Sequence, residues 1–309
     1  MSSDLLRPRQ RSELIAAGFT ARELDGLLRT GSLAAVRRGA YVDAADERLA
    51  LATARHALLV HATAPRLHAE SVFSHVSAAV LHGLPTWDIP LDRVHVTRNR
   101  RSGARRSGVV VLHAAGVAPG ELVAVDGVAV TDVPRAVVDL ARSVGFERAV
   151  AVADAALRRG GVDEGALLEA LTRAAGRPGL AQARRVIAAA DGRAESVGES
   201  RSRLALSRAG VPLPVLQQEM RAADGATLGR VDFWWREQRT VGEFDGLEKY
   251  GRLLRPGQSP RDAVVAEKRR EDALRDTGLQ VVRWVWAELD RFDDIVVPRL
   301  RRAFERSCR

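Results

Sequence analysis

Arg230-Val231-Asp232-Phe233-Trp234-Trp235 and, just beyond it, Val241-Gly242-Glu243-Phe244-Asp245-Gly246 are two short apolar runs with acids where a buried strand would take Val or Ile. The turn-like Arg236-Glu237-Gln238-Arg239 joins them, so they read as neighbouring strands. Alternation puts Val231, Phe233 and Trp235 on one face and Asp232 and Trp234 on the other. In the second run Val241, Glu243 and Asp245 share a face, and Gly246 permits a sharp exit. Carboxylates repel one another and are costly to bury. Asp232 facing Glu243 would call for a cation, most simply an oxygen-liganded Mg²⁺ or Mn²⁺, which is the chemistry of metal-assisted hydrolysis. Acids at solvent-exposed strand ends, or paired with nearby arginines, fit the same spacing equally well.

The flanking segments extend the pattern. Asp191 to Ala209 has helix-forming composition and closes at Gly210-Val211-Pro212, a C-terminal glycine followed by a helix-stopping proline. A helix over that span places Glu195 and Glu199 on one face. Val215 to Arg221 reads as a strand. Ser259-Pro260 opens a second helix, which carries Glu267, Lys268, Arg269, Arg270 and Glu271 and ends at Gly278. A strand from Leu279 to Trp286 and a last helix through about Arg306 follow. The order is helix, three strands, helix, strand, helix.

Taken together, Glu195-Ser-Val-Gly-Glu199-Ser-Arg, Val231-Asp232-Phe233, Glu243-Phe-Asp245-Gly246, the Arg-rich helix and Val282-Arg283-Trp284 resemble the PD-(D/E)xK nuclease superfamily. Within it they are most similar to very-short-patch-repair-like endonuclease domains, over roughly residues 191–306. The resemblance implies a restriction-endonuclease-like α/β core, phosphodiester hydrolysis, and Mg²⁺ (or Mn²⁺) held by Asp232 and Glu243, with Glu199 or Glu195 as the helix-borne acid. The chain departs from the pattern at Asp245, where many members carry lysine. A lysine there orients the attacking water and neutralises developing charge; an aspartate can instead bind metal or hold a water. Among 48 Lys+Arg the only lysines are Lys249 and Lys268. Both fall in this module, and both are candidates to supply the missing cation.

At 309 residues the chain is long enough for two or three domains. It lacks an apolar run of about 18 residues and a signal-peptide core, which predicts a soluble, cytoplasmic protein with no membrane partner. Cys308 is the only cysteine, so intramolecular disulfides and cysteine-rich zinc sites are excluded. A net charge of +9 and a pI near 10.9 favour polyanions, although abundant Arg, Ala, Val and Gly is also what a GC-rich coding sequence produces.

Residues 10–42 carry a second pattern. Ser12 to Gly18 reads as the end of one helix, Thr20-Ala-Arg-Glu23 is a capping box opening another, and Leu33 to Val42 reads as a hairpin with basic residues at its turn. This is the outline of a winged helix-turn-helix, with Arg22 and Arg29 towards the major groove and Arg37 and Arg38 on phosphate; a small helical bundle or protein adaptor fits as well. The stretch resembles the N-terminal domain of AbiEi-type antitoxins of type IV toxin-antitoxin systems, which implies a transcriptional autorepressor and a partner toxin. Segments 74–158 resemble the middle domain of the same proteins.

Expected strands at Arg93–Thr97 and Val109–His113 flank an acid-free basic loop. Its Arg98, Arg100 and Arg101 are further candidate phosphate contacts, as are Arg269 and Arg270 near the C-terminus. Helices are expected over 46–66, 74–85, 134–143 and 147–158. His61, His68, His75 and His82 recur every seven residues, but a seven-residue spacing separates side chains by about 10 Å along a helix and Pro65 interrupts it. Helix-end and hydrogen-bonded roles are therefore expected rather than a metal cluster. No Walker loop or Gly-x-Ser-x-Gly elbow appears.

The expected organisation is a mixed α/β multidomain chain: a winged-helix-like domain over 1–45, an α+β middle domain over 46–180, and a nuclease-like domain over 181–309. The expected function is a DNA-binding, Mg²⁺-dependent endonuclease acting on double-stranded DNA in repair or in defence against phage and mobile elements. The alternative is a non-catalytic regulator or antitoxin with a degenerate nuclease fold.

Overall fold

The computed structural model describes residues 7–100, 103, 105–222, 225, 227–246, 270 and 272–307. The chain is a mixed α/β protein with three sheets among those residues, and it divides into two compact units, Met1–Ala190 and Asp191–Arg309. No helix among the described residues is long and apolar enough to cross a membrane.

The first unit opens with a short strand β1 (Arg9–Gln10), helices α1 (Arg11–Ala16) and α2 (Ala21–Arg29), and a hairpin of β2 (Leu33–Arg37) and β3 (Ala40–Asp43), with β3 between β1 and β2. The capping box at the start of α2 forms as its sequence dictates. The Glu23 N–H donates to the Thr20 hydroxyl at 3.2 Å, and the Glu23 carboxylate accepts from the Thr20 N–H at 2.7 Å. Leu14, Leu24 and Tyr41 make a small core. Val36, however, packs into the larger core of the following sheet, and the Gln10 amide donates to the Ala62 carbonyl at 3.2 Å. Through these shared contacts residues 7–43 belong to one unit with the segment after them, and that unit runs on to Ala190.

Helix α3 (Ala52–Thr63) follows, then β4 (Val72–Phe73), α4 (His75–Leu81), β5 (Val94–Arg98), β6 (Arg105–Ser107), β7 (Val110–Ala114), β8 (Leu122–Val125) and β9 (Val128–Thr131). The strands form a mixed sheet in the order β6-β7-β5-β4-β9-β8. The basic segment after β5 is not loop throughout: Arg105–Ser107 pairs antiparallel with β7, and Gly108, at φ +52, reverses the chain between the two. Helices α5 (Val133–Ser143), α6 (Phe146–Arg158), α7 (Glu164–Arg173) and α8 (Leu180–Ala189) complete the unit.

The second unit contains α9 (Val197–Arg208), β10 (Val215–Arg221), β11 (Thr227–Trp235), β12 (Thr240–Asp245), β13 (Gln280–Val285) and α10 (Phe292–Ser307). The sheet order is β10-β11-β12-β13; the first two pairings are antiparallel and β12 runs parallel to β13. A parallel pair needs a crossover, and the helical residues 272–276 lie within it. Phe233, Trp235, Phe244 and Trp284 cover one sheet face and pack with Leu206 on α9 and Val296 and Leu300 on α10. Gly242 is required at its centre, because a Cβ there would lie 2.7 Å from the Trp284 ring and 2.8 Å from that of Trp235.

Two expectations need correction. Helix α9 begins at Val197, not Asp191, because the Asp191 carboxylate turns back onto the N–H and guanidinium of Arg193 and Ser196 is the N-cap. Glu195 therefore precedes the helix and shares no helical face with Glu199. Val231, assigned by alternation to the side of Phe233, instead packs with Val241, Leu274 and Leu279. The β10–β11 pairing lapses next to it, at Gln217, whose φ is +54.

Candidate functional site

The site lies on the two inner strands of the second unit's sheet, β11 and β12. The β11–β12 pairing ends with Phe233 opposite Gly242, and at the next residue the Asp232 side chain, rather than the β11 backbone, reaches β12. Asp232 Oδ2 accepts the Phe244 N–H at 2.9 Å and Oδ1 accepts the Gln217 side-chain amide at 3.3 Å. That same amide donates to Glu199 Oε2 at 2.8 Å. An amide nitrogen carries two hydrogens, and here they tie an acid on α9 to an acid on β11. The left-handed backbone of Gln217 is the local irregularity that accompanies this placement.

Glu199 is 2% exposed. Besides Gln217, its carboxylate accepts the Ser196 hydroxyl at 2.9 Å and the Glu195 N–H at 2.8 Å. Three of its roughly four lone-pair positions are thus engaged by these bonds alone. Glu243, 7% exposed, lies between two guanidinium groups, Arg270 at 2.6 Å and Arg283 at 2.8 Å. Parallel pairing puts Arg283 directly alongside Glu243, so the buried carboxylate is compensated by charge. Asp245 is half-buried at the end of β12, level with Val285. Glu195 is ion-paired with Arg230 at 2.6 Å.

Hydrogen bonds link Glu199 to Asp232 through Gln217, and Asp232 to the backbone of Phe244 next to Glu243, but the carboxylate oxygens of Glu199, Asp232 and Glu243 do not all come within 4.8 Å of one another. Asp245 ends the same strand as Glu243, and Glu195 turns away to Arg230. Lys249, Lys268, Arg269 and Arg101 lie outside the described residues. Arg270, expected as a phosphate contact, is placed on Glu243. In the first unit Arg22 and Arg29 are exposed on α2 and Arg38 is exposed at the hairpin turn. Arg37 is half-buried and donates to the Thr63 hydroxyl at 3.4 Å; burial, and then the charge of Arg66, lower its pKa. Arg98 donates to the Ser71 hydroxyl at 3.1 Å, and Arg100 is exposed.

Gln217 carried no sign in the sequence, and Arg283 entered only as part of Val282-Arg283-Trp284 without a role, since neither contact is written in residue type or spacing. A histidine cluster was also missed. The seven-residue series disperses: His61 is on α3, His68 is exposed, and His82 caps α4 with Nε2 2.7 Å from the Thr131 carbonyl. Only His75 joins a group, with His95 and His113. The His75 and His113 rings stack with centroids 3.7 Å apart, and His113 Nε2 lies 3.1 Å from His95 Nδ1. Burial holds all three neutral and drives His95 down to about 4, the neighbouring histidines pushing the same way. One ring nitrogen from each of the three lies within 4.8 Å of the other two, but imidazole is not the donor that hard Mg²⁺ prefers. Alternation on β5 and β7 gave half of the signal, each strand offering one inward histidine; their parallel register was not legible.

No known family profile matches the chain. Over 170 residues it is 33% identical to two proteins of Mycobacterium tuberculosis, from strains CDC 1551 / Oshkosh and ATCC 25618 / H37Rv, both described only as uncharacterized. The match takes in 55% of this chain and 59% of each relative, so the chain spans little more than half the length of the curated relatives it matches.

Proposed function

We propose that the second unit hydrolyses phosphodiester bonds of nucleic acid, double-stranded DNA foremost, at a divalent-metal site centred on Asp232 and Glu243. The observation that carries this reading is the hydrogen-bonded path from Glu199 on α9 through Gln217 to Asp232 on β11 and on to the Phe244 N–H beside Glu243 on β12, with Glu199 and Glu243 almost wholly buried. Hard carboxylate oxygens are the donors that Mg²⁺ or Mn²⁺ prefers, and among the described residues Asp232 Oδ1 carries one long hydrogen bond. Because no three of these acids lie within 4.8 Å of one another, an ion held by three of them would have to draw them closer. Glu199, already engaged by three donors, serves better to orient Gln217 and through it Asp232. A bound Mg²⁺ or Mn²⁺ would polarise the scissile phosphate and lower the pKa of an attacking water.

The chain's own groups supply the rest. Gln217 and the Phe244 N–H fix the plane of the Asp232 carboxylate. Arg283 and Arg270 stand on Glu243 and can turn towards a phosphate oxygen as negative charge develops there. Asp245 takes the place of the usual lysine by holding a water. The net charge of +9 and the exposed Arg22, Arg29 and Arg38 bring the polyanion to the protein.

One observation favours a second reading, a non-catalytic regulator or antitoxin with a partner toxin. Glu243 is ion-paired with two arginines, as in a structural rather than a metal-binding role, and Asp245 stands at the position of the usual lysine. A plasmid-nicking assay with Mg²⁺ or Mn²⁺ decides between them. Asp232→Ala and Glu243→Ala are each expected to reduce nicking by about 100-fold or more. Wild-type protein that binds DNA in a salt-sensitive way but never cuts would leave the regulator.

A further inference from the structure

The two faces of the first unit's mixed sheet have unlike chemistry. On β5 and β7, alternation directs His95, Thr97, Val111 and His113 to one side and Val96, Arg98, Val110 and Leu112 to the other. The second side is the floor of an open cavity of about 480 Å³. Val96 and Leu112 sit in register on adjacent strands, and Arg105 on β6 pairs with Leu112. Five arginines line the cavity: Arg37 from the end of β2, Arg66 after α3, Arg98 and Arg100 at and beyond the end of β5, and Arg105. No carboxylate lines it among the described residues.

Cations gathered in one concavity repel each other, and the low-dielectric wall beside them strengthens the repulsion. Counter-charge is the missing component. A second observation points the same way: the Nε atoms of Arg37 and Arg98 are buried without a hydrogen-bond partner. Beyond these, Arg37 makes one long bond to Thr63 and Arg98 one bond to Ser71. Donors therefore outnumber acceptors around the cavity, as expected where an oxygen-rich anion is received. Guanidinium forks match phosphate oxygens two at a time. The valine–leucine floor offers an apolar surface beside them, and the volume lies within the roughly 300–1,000 Å³ of small-ligand pockets.

We propose that this cavity binds a phosphate ester, its anionic head held by Arg37, Arg66 and Arg98 under Arg100 and Arg105, its organic part lying on Val96, Val110 and Leu112. The ester is either a free nucleotide or a nucleotide carried in a nucleic-acid strand. The inference is independent of any cleavage by the second unit.

The test uses the full chain, with AMP by calorimetry and a short fluorescein-labelled DNA duplex by anisotropy across a salt series. Arg66 and Arg105 are exposed, so Arg66→Glu and Arg105→Glu are suited to leave the fold intact, as far-UV circular dichroism checks. Arg184→Glu, exposed on α8, makes the same charge change away from the cavity. One-to-one AMP binding weakened at least about tenfold by either cavity variant, but not by Arg184→Glu, assigns a free nucleotide. No AMP binding, with duplex affinity falling and the salt slope dropping by about one per cavity arginine, assigns a strand. Folded cavity variants that bind both probes like wild type overturn the proposal, as does an equal loss in Arg184→Glu.

Discussion

Gly198 lies against Phe244 so closely that a Cβ built there would overlap the Cε1–Cζ edge of the phenyl ring. That contact brings the first turn of α9 onto β12 and lets the next residue, Glu199, reach Gln217. Gly198→Ala is expected to cost about 1–3 kcal/mol through overpacking, seen as a Tm lowered by several degrees in a thermal melt. An unchanged Tm would mean that the helix has room to withdraw. At this scale the sequence was readable where a residue offends its surroundings. Asp232 and Glu243 stood out because strands so apolar should not carry acids. Gln217 gave no such warning, since a glutamine in a half-exposed strand offends nothing; its importance comes from a left-handed φ and two carboxylates distant along the chain.

The strands β5 and β7 show what a single element can separate, with histidines on one side and arginines over an apolar floor on the other. The buried histidines make the first unit sensitive to acid. In the unfolded chain they titrate near 6.5, whereas burial holds them neutral in the fold, His95 down to about 4. The unfolded state therefore binds more protons below about pH 6.5, and stability is complete above that pH and lost as it falls towards about 4. His95 alone accounts for on the order of 3 kcal/mol across this window. Urea melts of the wild type at about pH 7 and about pH 5 should show the loss, and His95→Gln should flatten it; identical midpoints for the wild type would contradict the linkage. Elements announced by caps were legible, as at Thr20 with Glu23 and at Gly210. The strand Arg105–Ser107 was not, because arginine-rich sequence reads as solvated loop and only pairing with β7 makes it a strand. The start of α9 was misplaced because helix-forming composition outlasted the helix, and the stop came from Asp191 folding onto Arg193.

Each unit has its own core, one on the mixed sheet of the first and one around the aromatic face of the second. Fragments 1–190 and 191–309 should each unfold cooperatively when expressed alone; a fragment with a broad, non-cooperative melt would argue against that division. Asp139 anchors the first unit. It is fully buried, holds Arg135 at 2.8 Å and Arg142 at 3.0 Å, and Arg135 in turn holds Glu121 at 2.8 Å. Asp139→Asn leaves a buried guanidinium under-compensated and is expected to cost about 3–5 kcal/mol, measurable by urea denaturation. Tryptophan placement has a further consequence. Of the five tryptophans in the chain, only Trp87 lies in the first unit, while Trp234, Trp235, Trp284 and Trp286 are in the second, with Trp235 and Trp284 buried together on its aromatic face. Indole emission is therefore almost a private signal of the second unit. A chain whose first unit alone had opened would keep a nearly native spectrum, its loss visible only in the amide ultraviolet.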